Sequence, residues 1–250
     1  MRRPCAVTVA GPGTNRDRDA CAALARAGAD PEIALVSELV ADPGRLDSAD
    51  LLVLAGGFSY ADALGAGRML ALDLTRDASG ETSGDSKIAT ALRAFVDSGR
   101  PVLGICNGFQ VLTRAGLLPG SLGPNGGGRF DCRWVALAPE GGSNSVWLDG
   151  DEAPIECPIA HGEGRYTHPD PGALAASGQV ALRYEGPNPN SSVGGIAGVS
   201  DPTGVVLGLM PHPENHMVAR QHPAHRRGAG GPSHLGLRIF AAGVRHASLL

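Results

Sequence analysis

A chain of 250 residues, 42% of them hydrophobic, can bury a sizeable core and is the right size for one large α/β domain or two small ones. A formal net charge of −4 with scattered Lys and Arg leaves no broad basic surface, which argues against nucleic acid as the main partner. Five cysteines, at positions 5, 21, 106, 132 and 157, form no CxxC pair, so free thiols in a reducing compartment fit better than a disulfide framework or a zinc site.

The first apolar run, "CAVTVA" (5–10), follows two arginines as in a signal peptide, but it stops before Gly-Pro-Gly. That is too short for a secretory core or a membrane span, and the run reads as the first strand of a soluble, cytoplasmic protein. Residues 17–28, "DRDACAALARAG", open with acids and close on Gly28, which predicts a helix. "EIALV" (32–36), "DLLVLAGG" (50–57) and "RPVLGIC" (100–106) are nearly continuous apolar runs, the pattern of strands buried on both faces. The polar stretch 75–87, rich in Gly and Ser, predicts an exposed loop. "SKIATALRAFVDSG" (86–99) sets Ile88, Leu92, Phe95 and Val96 on one helical face. Strand and helix in this alternation predict an α/β fold with a doubly wound, mostly parallel sheet.

Beyond about residue 128 the pattern changes. "FDCRWVALAP", "NSVWLDG", "QVALRYEG" and "VGGIAGVSDPTGVVLGLMPH" predict strands of an antiparallel extension. Residues 219–234 read as a surface loop and "LGLRIFAAGVRHA" as a closing helix. No shift in composition marks a boundary, so residues 1–250 are expected to form a single domain.

Ligand sites in such sheets lie outside the carboxyl ends of the strands, and Cys106 falls there. The spacing Gly104, Cys106, Gly108 matches a G-x-nucleophile-x-G elbow, in which a tight strand-to-helix turn exposes the nucleophile. The sulfur would sit at the N-terminus of a helix over 107–116, where negative charge is favoured, and the thiolate is the attacking form. The other four cysteines read as small buried hydrophobes. Among eight histidines, His212 in "VVLGLMPHPEN" follows an apolar run, and Glu214 two residues on can hold its ring. Pro211 and Pro213 stiffen that loop. His216, His222, His225 and His234 form no HExxH pattern and read as part of a mobile basic loop rather than a metal site. Oxyanion donors would be the backbone N–H of Asn107 and one from the Gly56-Gly57 turn in "LAGGFSY". Several hydrolase classes share such an elbow.

The elbow, "PHPE" and the Gly-Gly turn together resemble the class I glutamine amidotransferases. "GPGTNRDRD" (11–19), "GGFSYADAL" (56–64), "GICNGFQVLTRAGLLPG" (104–120), "PIAHGEGRY" (158–166) and "NPNSS" (188–192) are similar to the glutaminase subunits of phosphoribosylformylglycinamidine synthase within that class. The resemblance implies a flavodoxin-like fold with Cys106 as nucleophile, His212 as base and acid, and Glu214 as its orienting carboxylate. It further implies that Gly57 and Asn107 hold the oxyanion, while Gln110, Gly162 and Glu163 bind the substrate L-glutamine. His161 would lie near the site without acting as base. No GxxxxGK[ST] phosphate loop occurs, so no cofactor is expected in this chain. ATP and magnesium would belong to a large synthetase subunit, with a small third subunit in some complexes, and neither nucleic acid nor membrane is an expected partner. Residues 216–234 and 75–87 are the expected docking surface. Ala61 and Ala63 flank Asp62 where the family commonly has Gly-Asp-Tyr, which bears on the partner surface rather than the chemistry. Two alternatives stay open: another cysteine-elbow hydrolase, such as a peptidase or γ-glutamyl hydrolase, and a non-catalytic module of the same fold.

Overall fold

The first apolar run forms β1 (Cys5–Ala10), followed by α1 (Asp17–Ala27), which ends at Gly28 in the left-handed region, and β2 (Asp30–Leu35). The computed structural model describes residues 2–75 and 86–250, so most of the 75–87 loop expectation lies outside the described residues. Then come α2 (Val36–Ala41), β3 (Leu51–Leu54), α3 (Arg68–Thr75), α4 (Lys87–Asp97), β4 (Val102–Ile105) and α5 (Asn107–Arg114). Helix α4 is capped by Ser86, whose hydroxyl oxygen accepts the Ala89 N–H. The remaining elements are β5 (Ser121–Gly123), β6 (Asp131–Pro139), β7 (Ile155–His161), β8 (Arg165–Thr167), α6 (Pro171–Ala176), β9 (Val180–Glu185), β10 (Ile196–Ser200), β11 (Val206–Leu209) and α7 (Leu237–Ala247).

Nine of these strands form one sheet in the order β2-β1-β3-β4-β11-β10-β9-β6-β7. The first five are parallel and the rest antiparallel; β11, expected in the antiparallel extension, belongs to the parallel half because it pairs with β4, and only its other edge, against β10, is antiparallel. Helix α1 packs with α7, and α3 packs against α2, α4 and α5, giving two helical groups beside the sheet. Every residue of β3, β4, β10 and β11 is buried, whereas β7 alternates, with Ile155, Cys157, Ile159 and His161 inward. No described helix is long and apolar enough to cross a membrane.

Four expectations need correction. "EIALV" is not buried on both faces: β2 is the sheet's edge, only Ala34 in it is buried, and Val36 starts α2. "NSVWLDG" is a loop, not a strand; Trp147 is fully buried and its indole N–H donates to the Val205 carbonyl at 2.9 Å. A short apolar run around a buried anchor looks the same in sequence as a short strand. Three of the tail histidines are held by the fold, while His225 is exposed. His216 is fully buried and hydrogen-bonded to the Glu156 carbonyl, His222 packs edge-on against Trp134, and His234 meets the Pro154 carbonyl at 2.8 Å. Of the four cysteines read as buried hydrophobes, only Cys157 is buried; Cys132 is exposed, and Cys5 and Cys21 are half-buried.

Candidate functional site

Sheet order builds the site. Strand β4 pairs with β3 on one side, Leu54 opposite Gly104, and with β11 on the other, Ile105 opposite Leu209. The ladder runs one residue further, because the Cys106 N–H donates to the Leu209 carbonyl at 2.8 Å. Cys106, the Gly56-Gly57 turn and His212 therefore leave three adjacent strands at one edge. The loop after β1 joins them since β1 is the other neighbour of β3: Thr14 bridges to Gly57, and Asn15 and Arg16 follow.

Cys106 holds φ 50° and ψ −103°, a backbone conformation rare outside glycine, directly before α5. Its glycine bracket has a packing cause. A Cβ on Gly104 would overlap Leu112 of α5, and one on Gly108 would overlap the Leu54 carbonyl of β3, so only glycines let the helix start this close to the sheet. The sequence pattern predicts an elbow that exposes the cysteine; instead the cysteine is buried. Cys106 is 5% exposed, on a cavity of about 180 Å³ lined also by Asn15, Arg16, Gly57, Phe58, Phe130, Ala160 and His212. A wider cleft of about 520 Å³, between the end of β6 and residues 143–152, has neither cysteine nor histidine in its lining.

His212 Nδ1 lies 2.7 Å from Glu214 Oε1, and both residues are buried. A short turn over Pro213–Asn215 brings the carboxylate back under its own histidine. The ring shares its cavity with Cys106, whose Sγ lies 3.8 Å from the Ala160 carbonyl oxygen. Burial by itself lowers the imidazole pKa, but the Glu214 and Cys106 charges outweigh it and push His212 up to about 10. Gly56 makes room for this ring, since a Cβ there would stand 2.8 Å from His212 Cε1.

His161 lies nearby without partnering the sulfur. Its Nδ1 is 3.0 Å from Asn125 Oδ1, an oxygen that also accepts the Gly164 N–H. Asn125 Nδ2 donates to the Arg129 and His161 carbonyls, so its oxygen must receive and His161 carries its proton on Nδ1. Burial first, and then the charge of His212, lower the His161 pKa to about 4.

The other expected residues form the adjoining wall. Gly57 lines the cavity at φ 129°, and Asn107 opens α5 with its side chain buried. Gln110 is buried and donates to the Glu163 carbonyl at 2.7 Å, while the Gly162 carbonyl accepts the Asn125 N–H at 2.9 Å. Gln110, Gly162 and Glu163 are thus brought together beside α5. Sequence reasoning missed Asn15, Arg16, Phe58, Phe130, Ser59 and Asn125. The motif "GPGTNRDRD" was the signal for the first two, but nothing local tells that β1 lies beside β3.

Residues 3–247 match the family of CobB/CobQ-like glutamine amidotransferase domains. The chain is 39% identical to phosphoribosylformylglycinamidine synthase subunit PurQ of Treponema denticola, over 98% of this chain and 99% of that one. It is 34% identical to the PurQ subunit of Dehalococcoides mccartyi, over 94% of each. Among solved structures, a chain of PurLQS from Thermotoga maritima superposes with a TM-score of 0.77 at 34% identity, covering 97% of this chain and 98% of that one. With fold, elbow and full-length likeness in agreement, the chain belongs to the glutamine amidotransferase family, in its group of phosphoribosylformylglycinamidine synthase PurQ subunits.

Proposed function

We propose that Cys106, His212 and Glu214 hydrolyse the side-chain amide of L-glutamine, making this chain the glutaminase subunit that feeds ammonia to a synthetase. The observation that carries this reading is the His212 ring, held by Glu214 on one nitrogen and lining the same cavity as Cys106, at the carboxyl ends of β4 and β11. The Cys106 thiolate attacks the amide carbon, and the N–H groups of Gly57 and Asn107 take up the negative charge on oxygen. Protonated His212 gives its proton to the departing nitrogen, so ammonia leaves and a glutamyl thioester remains. Neutral His212 then takes a proton from water, the hydroxide adds to the thioester, and collapse expels the thiolate with release of glutamate. Backbone groups around Gly162 and Glu163, steadied by Gln110, would meet the α-amino and α-carboxylate ends of glutamine.

The synthetase subunit, carrying ATP and magnesium, would use the ammonia to convert formylglycinamide ribonucleotide to formylglycinamidine ribonucleotide in cytoplasmic purine synthesis, with a small third subunit as further partner. Residues 1–250 would act as one domain, docking through residues 216–234 and 75–87. The test is glutamate release by the purified chain with glutamine, and then with glutamine, ATP, the ribonucleotide and the synthetase. Cys106→Ala is expected to lower it by at least about 10³-fold; unchanged release would overturn the assignment.

A further inference from the structure

Two backbone donors can hold one oxyanion only if the segments carrying them keep a fixed separation. Here the donors sit on different segments: Gly57 lies in the loop after β3, and Asn107 opens α5. A side-chain hydrogen bond joins them out of solvent. Ser59 Oγ donates to Asn107 Oδ1 at 2.6 Å, and each residue is 2% exposed.

The direction of this bond is fixed by what lies beyond it. Asn107 Nδ2 donates to Gln110 Oε1 at 3.1 Å and faces Asp62 Oδ1 at 3.4 Å, so its oxygen is the atom turned to Ser59. Gln110 in turn donates its Nε2 to the Glu163 carbonyl at 2.7 Å, so its own oxygen must accept. One directed chain of three hydrogen bonds therefore crosses from the loop after β3, over the nucleophile helix, to the loop after β7. The loop after β3 has reason to need an anchor. Directly after Ser59, Tyr60, Ala61 and Asp62 hold φ near +54°, at 54°, 53° and 54°, and Leu64 holds 63°. Side-chain-bearing residues stay in that region only when their surroundings hold them there.

We propose that Ser59 is a positioning residue for the oxyanion hole: through the Asn107 side chain it sets the separation of the Gly57 and Asn107 donors. This rests on Cys106 being the nucleophile. Ser59 touches no reacting atom, so its loss should raise the barrier of the acyl-transfer steps and leave both glutamine binding and the nucleophile's availability in place.

The experiment compares Ser59→Ala and Ser59→Cys with the unaltered chain, each in complex with its synthetase, and counts active sites by iodoacetamide alkylation of Cys106. Alkylation passes through no oxyanion. For Ser59→Ala, kcat per alkylatable Cys106 is expected to fall roughly 10- to 100-fold, with KM and the alkylation rate each within about twofold. Ser59→Cys, a weaker donor of similar shape, is expected to lie between the two. An unchanged kcat per site, or kcat and alkylation rate falling together, would overturn the proposal. Glutaminase activity that survives Cys106 alkylation in the unaltered chain would instead overturn the nucleophile assignment beneath it, which separates the two failures.

Discussion

Glu214 Oε1 stands 2.7 Å from His212 Nδ1, and the carboxylate is completely buried beneath the ring it orients. Burial opposes the charged ring, and the charges of Glu214 and Cys106 reverse that, raising His212 from 6.5 to about 10. Glu214→Gln keeps the shape and removes the charge. The midpoint of His212, followed by NMR of the ring nitrogens, is expected to fall, and kcat near neutral pH to drop about 10²- to 10⁴-fold. The stability sign follows from the raised value. The interaction contributes fully below the unfolded value of 6.5 and is lost as pH climbs towards about 10. Chemical denaturation should therefore show a shallower loss over that window in Glu214→Gln, and an identical slope would contradict the assignment of the charge.

His161 predicts the opposite behaviour in acid. Its pKa is lowered to about 4 by burial and by His212, with Asp131 acting weakly the other way. The unfolded chain takes up this proton near 6.5 and the folded one does not, so stability is intact above that pH and falls as pH drops towards about 4. His161→Gln, which does not titrate, is expected to flatten that decline in urea titrations between the two pH values. Parallel curves for the two proteins would show that His161 is not the source.

Two glycines separate the packing of the elbow from its chemistry. A methyl on Gly108 would overlap the Leu54 backbone carbonyl, which cannot move without the sheet, and one on Gly56 would press on the side chain of His212. Gly108→Ala is expected to cost about 2 kcal/mol or more by overpacking, with loss of activity as α5 lifts. Gly56→Ala is expected to lower kcat with a smaller change in the denaturation midpoint. Equal midpoints for Gly108→Ala and the unaltered chain would remove the packing account of the bracket.

Strands β1, β3 and β4 were legible because burial on both faces leaves continuous apolar runs. The elbow and "PHPE" were legible because Gly and Pro punctuate them locally. Strand β7 was not, since Pro158 sits inside it, and a proline argues against a strand unless the strand is an edge, as β7 is. The lateral order of strands carries no local signal either. Nothing in "RPVLGIC" indicates that β11 pairs beside it, and nothing near Ser59 indicates a bond to Asn107, 48 residues away. The residues proposed for the chemistry could therefore be read from spacing, while those that hold them in place depend on which loops the sheet makes neighbours.

Trp147 tests the opposite end of the same strand pair. Its indole N–H donates to the Val205 carbonyl, which also accepts the Val102 N–H at 2.9 Å where β4 begins. Its ring packs so closely on α7 that a Cβ on Gly243 would overlap it. Because the Val205 carbonyl keeps a backbone partner without the indole, Trp147→Phe should lose one hydrogen bond and leave no orphaned acceptor, a cost of about 1–2 kcal/mol. Trp147→Ala also empties the space between the loop and α7, at about 3–5 kcal/mol. The proposed site lies at the carboxyl ends of β4 and β11 and Trp147 meets their amino ends, so kcat per folded Trp147→Phe molecule is expected to stay within about twofold. Denaturant unfolding and glutaminase assays on the two variants check both halves. A large kcat loss in Trp147→Phe, at near-normal stability, would mean that the strand pair transmits strain along its whole length to Cys106 and His212.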